Sequence, residues 1–198
     1  ENIMPLGANK AAIMGVSGVS TGDVVLLSSQ TADDDASISF TSGITSTYGE
    51  YIFRFYNINP ATNDQNFAFQ TSTDGGSNYN LNTTSTYFAG RHAEDDSPAA
   101  LSYETSYDFA DSTSFIRISV GVGNGADEHC AGELHLFNPS STTYNKNWYS
   151  RVVMYHEGDQ VWDSFVGGFV NSTSDIDAIQ FKMESGNFDG KIKMWGVK

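Results

Sequence analysis

Hydrophobic and polar positions alternate with a period of two along most of the chain, the repeat that turns successive side chains to opposite faces of a strand. The pattern is clearest in Glu50-Tyr51-Ile52-Phe53-Arg54-Phe55-Tyr56-Asn57-Ile58, where Tyr51, Phe53 and Phe55 share one face and Ile52, Arg54, Tyr56 and Ile58 the other. Both faces are largely apolar, so this segment is expected to be a central strand. Similar short runs, separated by Gly, Asn, Asp and Pro clusters, predict strands near 23–30, 36–42, 50–58, 65–72, 84–91, 101–107, 113–122, 131–138, 147–156, 161–170, 176–184 and 189–197. About twelve strands with no helical periodicity predict an all-β fold, a jelly-roll-like two-sheet antiparallel β-sandwich over residues 23–198. The alternating runs around Phe181 and Ile192 flank Ser185-Gly186-Asn187, the strongest local hairpin signal in the chain. With Phe181, Met183, Ile192 and Met194 facing in, Lys182, Lys191 and Lys193 face out, where lysine discourages stray strand pairing.

Residues 1–22 read differently. The stretch GANKAAIMGVSGVSTG at 7–22 is rich in Gly, Ser and Ala around Ile13, Met14, Val16 and Val19. Such a segment cannot bury a core of its own, and it predicts an extended N-terminal arm whose four apolar residues are anchors. A frayed terminus has the same composition. No apolar run reaches the roughly 18 to 20 residues of a membrane span, so no membrane insertion is expected.

Composition narrows the function classes. With 10 Lys and Arg against 24 Asp and Glu, the net charge is -14, and phosphate backbones would be repelled, so no nucleic-acid partner is expected. The acids concentrate early: residues 1–145 hold 17 acids and 4 bases, while residues 146–198 hold 7 and 6. That asymmetry predicts that the C-terminal strands face a partner or another copy, although core burial also lowers local charge density. The lone cysteine, Cys130, cannot close an internal disulfide.

Four histidines, His92, His129, His135 and His156, fit no metal signature of close repeated spacing. Glu133 and His135 share a strand face with Phe137, without an identifiable third ligand. His129 adjoins Cys130, but neighbours on a strand point apart, which argues against a thiol nucleophile with its base. The acidic clusters Asp33-Asp34-Asp35 and Glu94-Asp95-Asp96 offer hard oxygens suited to calcium, with Asp33, Asp35, Asp95 and Asp96 the candidate ligands. Simple solvation of a turn explains them as well, and no other cofactor is expected. Among the aromatics, Tyr79, Tyr103, Trp148, Tyr149, Tyr155 and Trp162 are candidate platforms for a glycan, Tyr79, Trp148 and Trp162 foremost, with Asn-rich loops such as Gly75-Gly76-Ser77-Asn78-Tyr79-Asn80 as recognition surfaces.

The run Asp35-Ala36-Ser37-Ile38-Ser39-Phe40-Thr41-Ser42-Gly43-Ile44, then Ser46-Thr47-Tyr48 and the Tyr51 segment ending in Asn57-Ile58-Asn59-Pro60-Ala61, resembles a β-sandwich module of tailed bacteriophages, especially marine ones. Leu134-His135-Leu136-Phe137-Asn138-Pro139-Ser140-Ser141 and Phe188-Asp189-Gly190-Lys191-Ile192-Lys193-Met194-Trp195-Gly196 resemble it too, so the likeness spans roughly residues 23 to 198. In that family the module often closes a long fibre-like protein, whereas here a short arm precedes it, which leaves both fibre and capsid locations open. The resemblance implies a non-enzymatic virion surface protein, multimeric, with no catalytic residues to carry over. The first reading is a capsid decoration or cement protein, a homotrimer whose arm reaches over a neighbouring subunit, in contact with other virion proteins such as capsid or fibre. The alternative is a receptor-binding module of a tail or head fibre that recognises host surface glycan. A third is an extracellular carbohydrate-binding or glycosidase domain unrelated to phage.

Overall fold

The computed structural model describes residues 23–97 and 99–198. The expected arm, residues 1–22 with Ile13, Met14, Val16 and Val19, lies outside the described residues. The rest is all-β: β1 (Val24–Asp35), β2 (Ile38–Phe40), β3 (Glu50–Pro60), β4 (Gln65–Ser72), β5 (Thr83–Ala93), β6 (Ala99–Tyr103), β7 (Phe109–Ser112), β8 (Ile116–Val122), β9 (Cys130–Phe137), β10 (Lys146–His156), β11 (Gln160–Val170), β12 (Ala178–Met183) and β13 (Phe188–Val197). These are thirteen strands rather than twelve, because the run expected at 101–107 stops at Tyr103 and a separate short strand follows at Phe109. Strands β6 and β7 pair in turn with the same edge of β5.

Every pairing is antiparallel. One path runs β1, β13, β3, β9, β10, β11, β5, and a second runs β8, β4, β12, β2. The two meet at one backbone pair, His156 with Val122. At the opposite side Gln30 Nε2 of β1 donates to the Ser39 carbonyl of β2 at 2.8 Å, so the strand network comes close to closing on itself. Strand β3 is central, between β13 and β9, as its apolar sequence predicts.

The expected hairpin is not formed. β12 pairs with β4 and β2, whereas β13 pairs with β1 and β3, so Ser185-Gly186-Asn187 carries the chain from one path to the other. Turn chemistry specifies that the chain bends there and says nothing of which strands flank the bend. The face assignment of the same segment does hold: Phe181, Met183, Ile192 and Met194 are buried while Lys182, Lys191 and Lys193 are not.

The core lies between the two paths. From the first come Tyr51, Phe53 and Phe55 of β3, with Leu134, Trp148, Val152, Phe188 and Ile192, and from the second Phe40, Phe67, Phe69, Ile118 and Phe181. Strand β10 shows the reason in its simplest form, with buried and exposed positions alternating from Lys146 through Met154. In β3 the alternation slips. A bulge between Phe55 and Ile58, with Asn57 at φ 50°, turns Ile58 into the core rather than to the Ile52 and Arg54 face.

The Asn-rich loop between β4 and β5 is organised by one carboxylate. Asp74 accepts hydrogen bonds from Asn78 Nδ2 at 2.7 Å, Ser72 Oγ at 2.6 Å and Asn78 N at 2.9 Å. These bonds, led by the Asn78 amide, hold its carboxyl at about 2, below the ordinary 3.8. A depressed carboxylate lends stability that is present above its unfolded value and lost as pH falls through the folded one. The loop is therefore expected to loosen as pH drops from about 4 to about 2. An NMR titration of the side-chain carboxyls should place the Asp74 midpoint near 2. A midpoint at the ordinary 3.8 would mean that this network is not formed in solution.

Candidate functional site

Because strand side chains alternate, the path that buries Tyr51, Leu134, Val152 and Ile192 turns its remaining positions outward, and register lines these up in rows across the strands. One row runs Leu26, Trp195, Ile52, His135 and Tyr149 over β1, β13, β3, β9 and β10, with Val24 and Val197 beside its β1 end. The next carries Lys193, Arg54, Glu133 and Arg151, and continues as Phe165, Phe88 and Tyr103. A third aligns Ala131, Val153, Asp163, Gly90 and Leu101, and a fourth Tyr155, Val161, His92 and Ala99.

The first row is an apolar band. Leu26 and Tyr149 are exposed, Trp195 and Ile52 half-buried. His135 lies nearly covered beneath Tyr149, its ring stacked at 4.5 Å and 12°. Its Nδ1 is hydrogen-bonded to Glu50 of β3, while Nε2 sits 3.2 Å from Glu133 Oε1, off the hydrogen-bonding direction. Sequence periodicity puts Glu133 and His135 on one face. Glu50 joins them only because β3 pairs with β9.

The middle row is held by charge and stacking. Arg151 makes two hydrogen bonds to the Asp163 carboxylate, at 3.0 and 2.7 Å, and its guanidinium lies 4.9 Å from the Phe165 ring centre. Phe165 in turn stacks on Phe88 at 5.2 Å with ring planes 3° apart. Arg151 and Phe88 are exposed and Asp163 and Phe165 half-buried, so the row is a set of outward groups in partnership with each other.

Beyond this row the face sinks into a cleft of about 470 Å³, floored by Ala131, Val153 and Val161 and rimmed by His92, Glu94, Asp127, His129 and Tyr155. An adjoining trough over Gly90, Leu101 and Asp163 shares Val153, Val161 and His92 with it. His92 Nε2 is 3.0 Å from Asp96, and the Tyr155 hydroxyl donates to Asp159 at 3.0 Å, a bond that raises the phenol's pKa. An apolar floor with a hydrogen-bonding rim binds groups of mixed polarity by shape and contact. Cys130, next to His129 in sequence, points away into the core, where burial pushes its thiol up to about 12.

The chain matches no protein-family model and no curated protein.

The structure relocates several residues singled out in the sequence. Trp148 and Trp162 are 2% and 5% exposed and do not serve as glycan platforms. Trp148 packs edge-on against Phe69 at 4.8 Å, and Trp162 is stacked on His156. Both sit at the buried phase of their strands, which residue type alone does not reveal. Tyr79 is half-buried, with its hydroxyl covered over Gly76 and unpartnered. The acidic clusters stay apart, Asp34 beside Asp189, and Asp95 and Asp96 in the turn after β5. Asp35 accepts from the Asp33 amide, Asp95 from Ser97 and Asp96 pairs with His92, so these carboxylates serve local turns. Among the described residues no group of three His, Cys, Asp or Glu is placed to hold a metal ion.

The outward apolar residues Phe88, Leu101, Val153, Val161 and Phe165 are not among the candidates that sequence reasoning offers. Their signal is nonetheless present in the sequence, as apolar side chains at the solvent phase of alternating strands.

Proposed function

We propose that this protein is a non-enzymatic structural protein of a bacteriophage particle surface, a capsid decoration or cement protein. In this reading the two strand paths are the layers of a jelly-roll-like sandwich, and copies associate as trimers against each other and against the shell. The observation that supports it is the outward face of the first path and of β6 beside it: Leu101 is 76% exposed, Val161 47%, and Phe88, Tyr103, Tyr149 and Val153 lie open beside them on a chain of net charge -14. A face of this kind costs solubility unless something covers it, and a lattice of neighbours is such a cover. Decoration then stabilises the shell by mass action, since added contacts must break before capsomers part. The alternative, a fibre module that recognises host surface glycan, draws on the cleft, whose Val153 and Val161 floor and His92, His129 and Glu94 rim suit a sugar's apolar face and hydroxyls.

Antibody labelling of intact phage particles viewed by electron microscopy tests both. Label spread over heads is the expected result. Label confined to fibre tips would favour the glycan reading, and particles without label would overturn the virion assignment.

A further inference from the structure

We propose that a hollow over β1, β13 and β3 binds the carboxylate-bearing rings of an acidic glycan, a site that goes beyond the particle-surface reading, which rests on the Leu101 and Val161 end of the same face. The hollow holds about 400 Å³ and is lined by Thr31, Tyr56, Asn57, Gly190, Lys191 and Lys193. Register sets Thr31, Lys191 and Tyr56 side by side on three neighbouring strands, and Lys193, two residues on along β13, shares their face. Three strand irregularities converge here, in β3 between Phe55 and Ile58, in β13 between Asp189 and Lys191, and in β1 between Ala32 and Asp35. Bulges bend a strand and re-aim its side chains. The concavity opens where these three meet, with Asn57 at φ 50° and Gly190 at φ 142°.

Elsewhere on this face polar groups are paired, Arg151 with Asp163, Arg54 with Glu133, Tyr155 with Asp159 and Tyr103 with Asp108. In the hollow they are not. Among the described residues, Lys191 and Lys193 belong to no ion pair, and the side chains of Thr31, Tyr56 and Asn57 make no hydrogen bond. On a chain of net charge -14, two adjacent ammonium groups without carboxylates attract an anion locally. Residues two apart on a strand stand roughly 6.5 Å from each other, a gap that long lysine side chains close around one carboxylate. Tyr56 is 39% exposed, and Lys193 Nζ lies 5.3 Å from its ring centre, so aromatic surface and positive charge adjoin. A bare inorganic anion would use the lysines alone, and a dense polyanion such as nucleic acid would be repelled by the acidic body. A sugar acid uses every group. Its carboxylate meets the ammonium groups, its hydroxyls meet Thr31 Oγ1 and the Asn57 amide, and its apolar C–H face meets Tyr56.

Calorimetric titration of the full-length protein with tetragalacturonate and with tetramannuronate, at fixed ionic strength, tests the site. Saturable binding of at least one is expected. Lys191→Gln and Tyr56→Ala should each raise its Kd about tenfold or more. Lys182→Gln, which removes the same charge from β12 on the other strand path, should change it less than about twofold. Amide spectra of the variants should match the parent outside the hollow, which separates lost binding from lost folding. The measurement uses isolated protein, so its outcome is separate from that of particle labelling. Absence of saturable binding by either glycan overturns the proposal, as does an equal loss in Lys182→Gln, which would mean attraction to general charge. An unchanged Kd in Tyr56→Ala would reduce the site to one for a bare anion, and tetraglutamate binding as tightly as the glycans would make its ligand an acidic peptide; either result overturns the sugar assignment.

Discussion

Replacing Phe181 with alanine will lower the unfolding free energy by about 3–5 kcal/mol, the largest loss expected from any single side chain in this fold. Phe181 is fully buried on β12, and its ring centre lies between 5.2 and 6.4 Å from those of five others, Phe55, Phe53, Phe67, Phe69 and Phe40. These rings come from β3, β4 and β2, so the side chain joins the two strand paths where they share no backbone bonds. Truncation removes the ring's burial and leaves a cavity whose lining is locked by neighbouring strands. For a chain of this size that loss should lower the midpoint of thermal unfolding by on the order of 10 °C, read by circular dichroism. Phe181→Leu should recover more than half of it. A Phe181→Ala midpoint within about 2 °C of the parent would mean that the aromatic cluster does not hold the paths together.

Gly168→Ala is the second large effect, and it acts through the backbone. A Cβ at Gly168 would stand 2.1 Å from the Thr84 carbonyl oxygen and 2.9 Å from Ser85 Cα, both on the neighbouring strand β5. Neither atom can rotate away, so β11 and β5 would have to separate along a ladder that continues through Val161 and His92. We expect a loss of about 2–3 kcal/mol, measured as a lower urea midpoint at unchanged slope. Gly132→Ala repeats the experiment at β9, where the new carbon would meet the Arg151 carbonyl oxygen at 2.2 Å. The control is Gly90→Ala, whose Cβ would meet nothing within 4 Å on the outward face. That variant should stay within about 0.5 kcal/mol of the parent. Equal behaviour of Gly168→Ala and Gly90→Ala would refute the close approach of β11 to β5.

Much of the fold is legible because strand alternation is local. The run at 65–72 coincides with β4, and the inward and outward assignment around Phe181 and Ile192 holds residue by residue. What exceeds the sequence depends on partners far along the chain. Gln70, Thr71 and Ser72 read as a polar strand end, yet all three are fully buried, with Gln70 Nε2 donating to the carbonyls of Leu81, Thr113 and Ser114, Ser72 Oγ donating to Asp74 and Thr71 Oγ1 left without a partner. Lys146 reads as a solvent charge. It is buried with its ammonium donating to the carbonyls of Ser172, at 3.0 Å, and Ser174, and burial pushes its pKa down. For Gln70 and Lys146 the cost of burying a polar group is met by backbone oxygens that only the tertiary fold brings near.

The outward surface divides in the same way. That Tyr149, Val153 and Val161 are apolar at solvent-phase positions is written in the sequence, as are the net charge of -14 and the carboxylate-free stretch at 2–22. Periodicity by itself also determined that the fold is all-β and that Tyr51, Phe53 and Phe55 share one face, because relative facing follows from immediate neighbours, whereas the tertiary structure decided that this face is the inward one. Only the tertiary structure decided that β12 and β13 part company after Phe181, that Trp148 and Trp162 go inward, and that Leu26 and Tyr149 end one continuous band. Pairing order and register depend on contacts between residues distant in the chain, as between Trp195 and Ile52, and a turn signal of three residues holds no information about them.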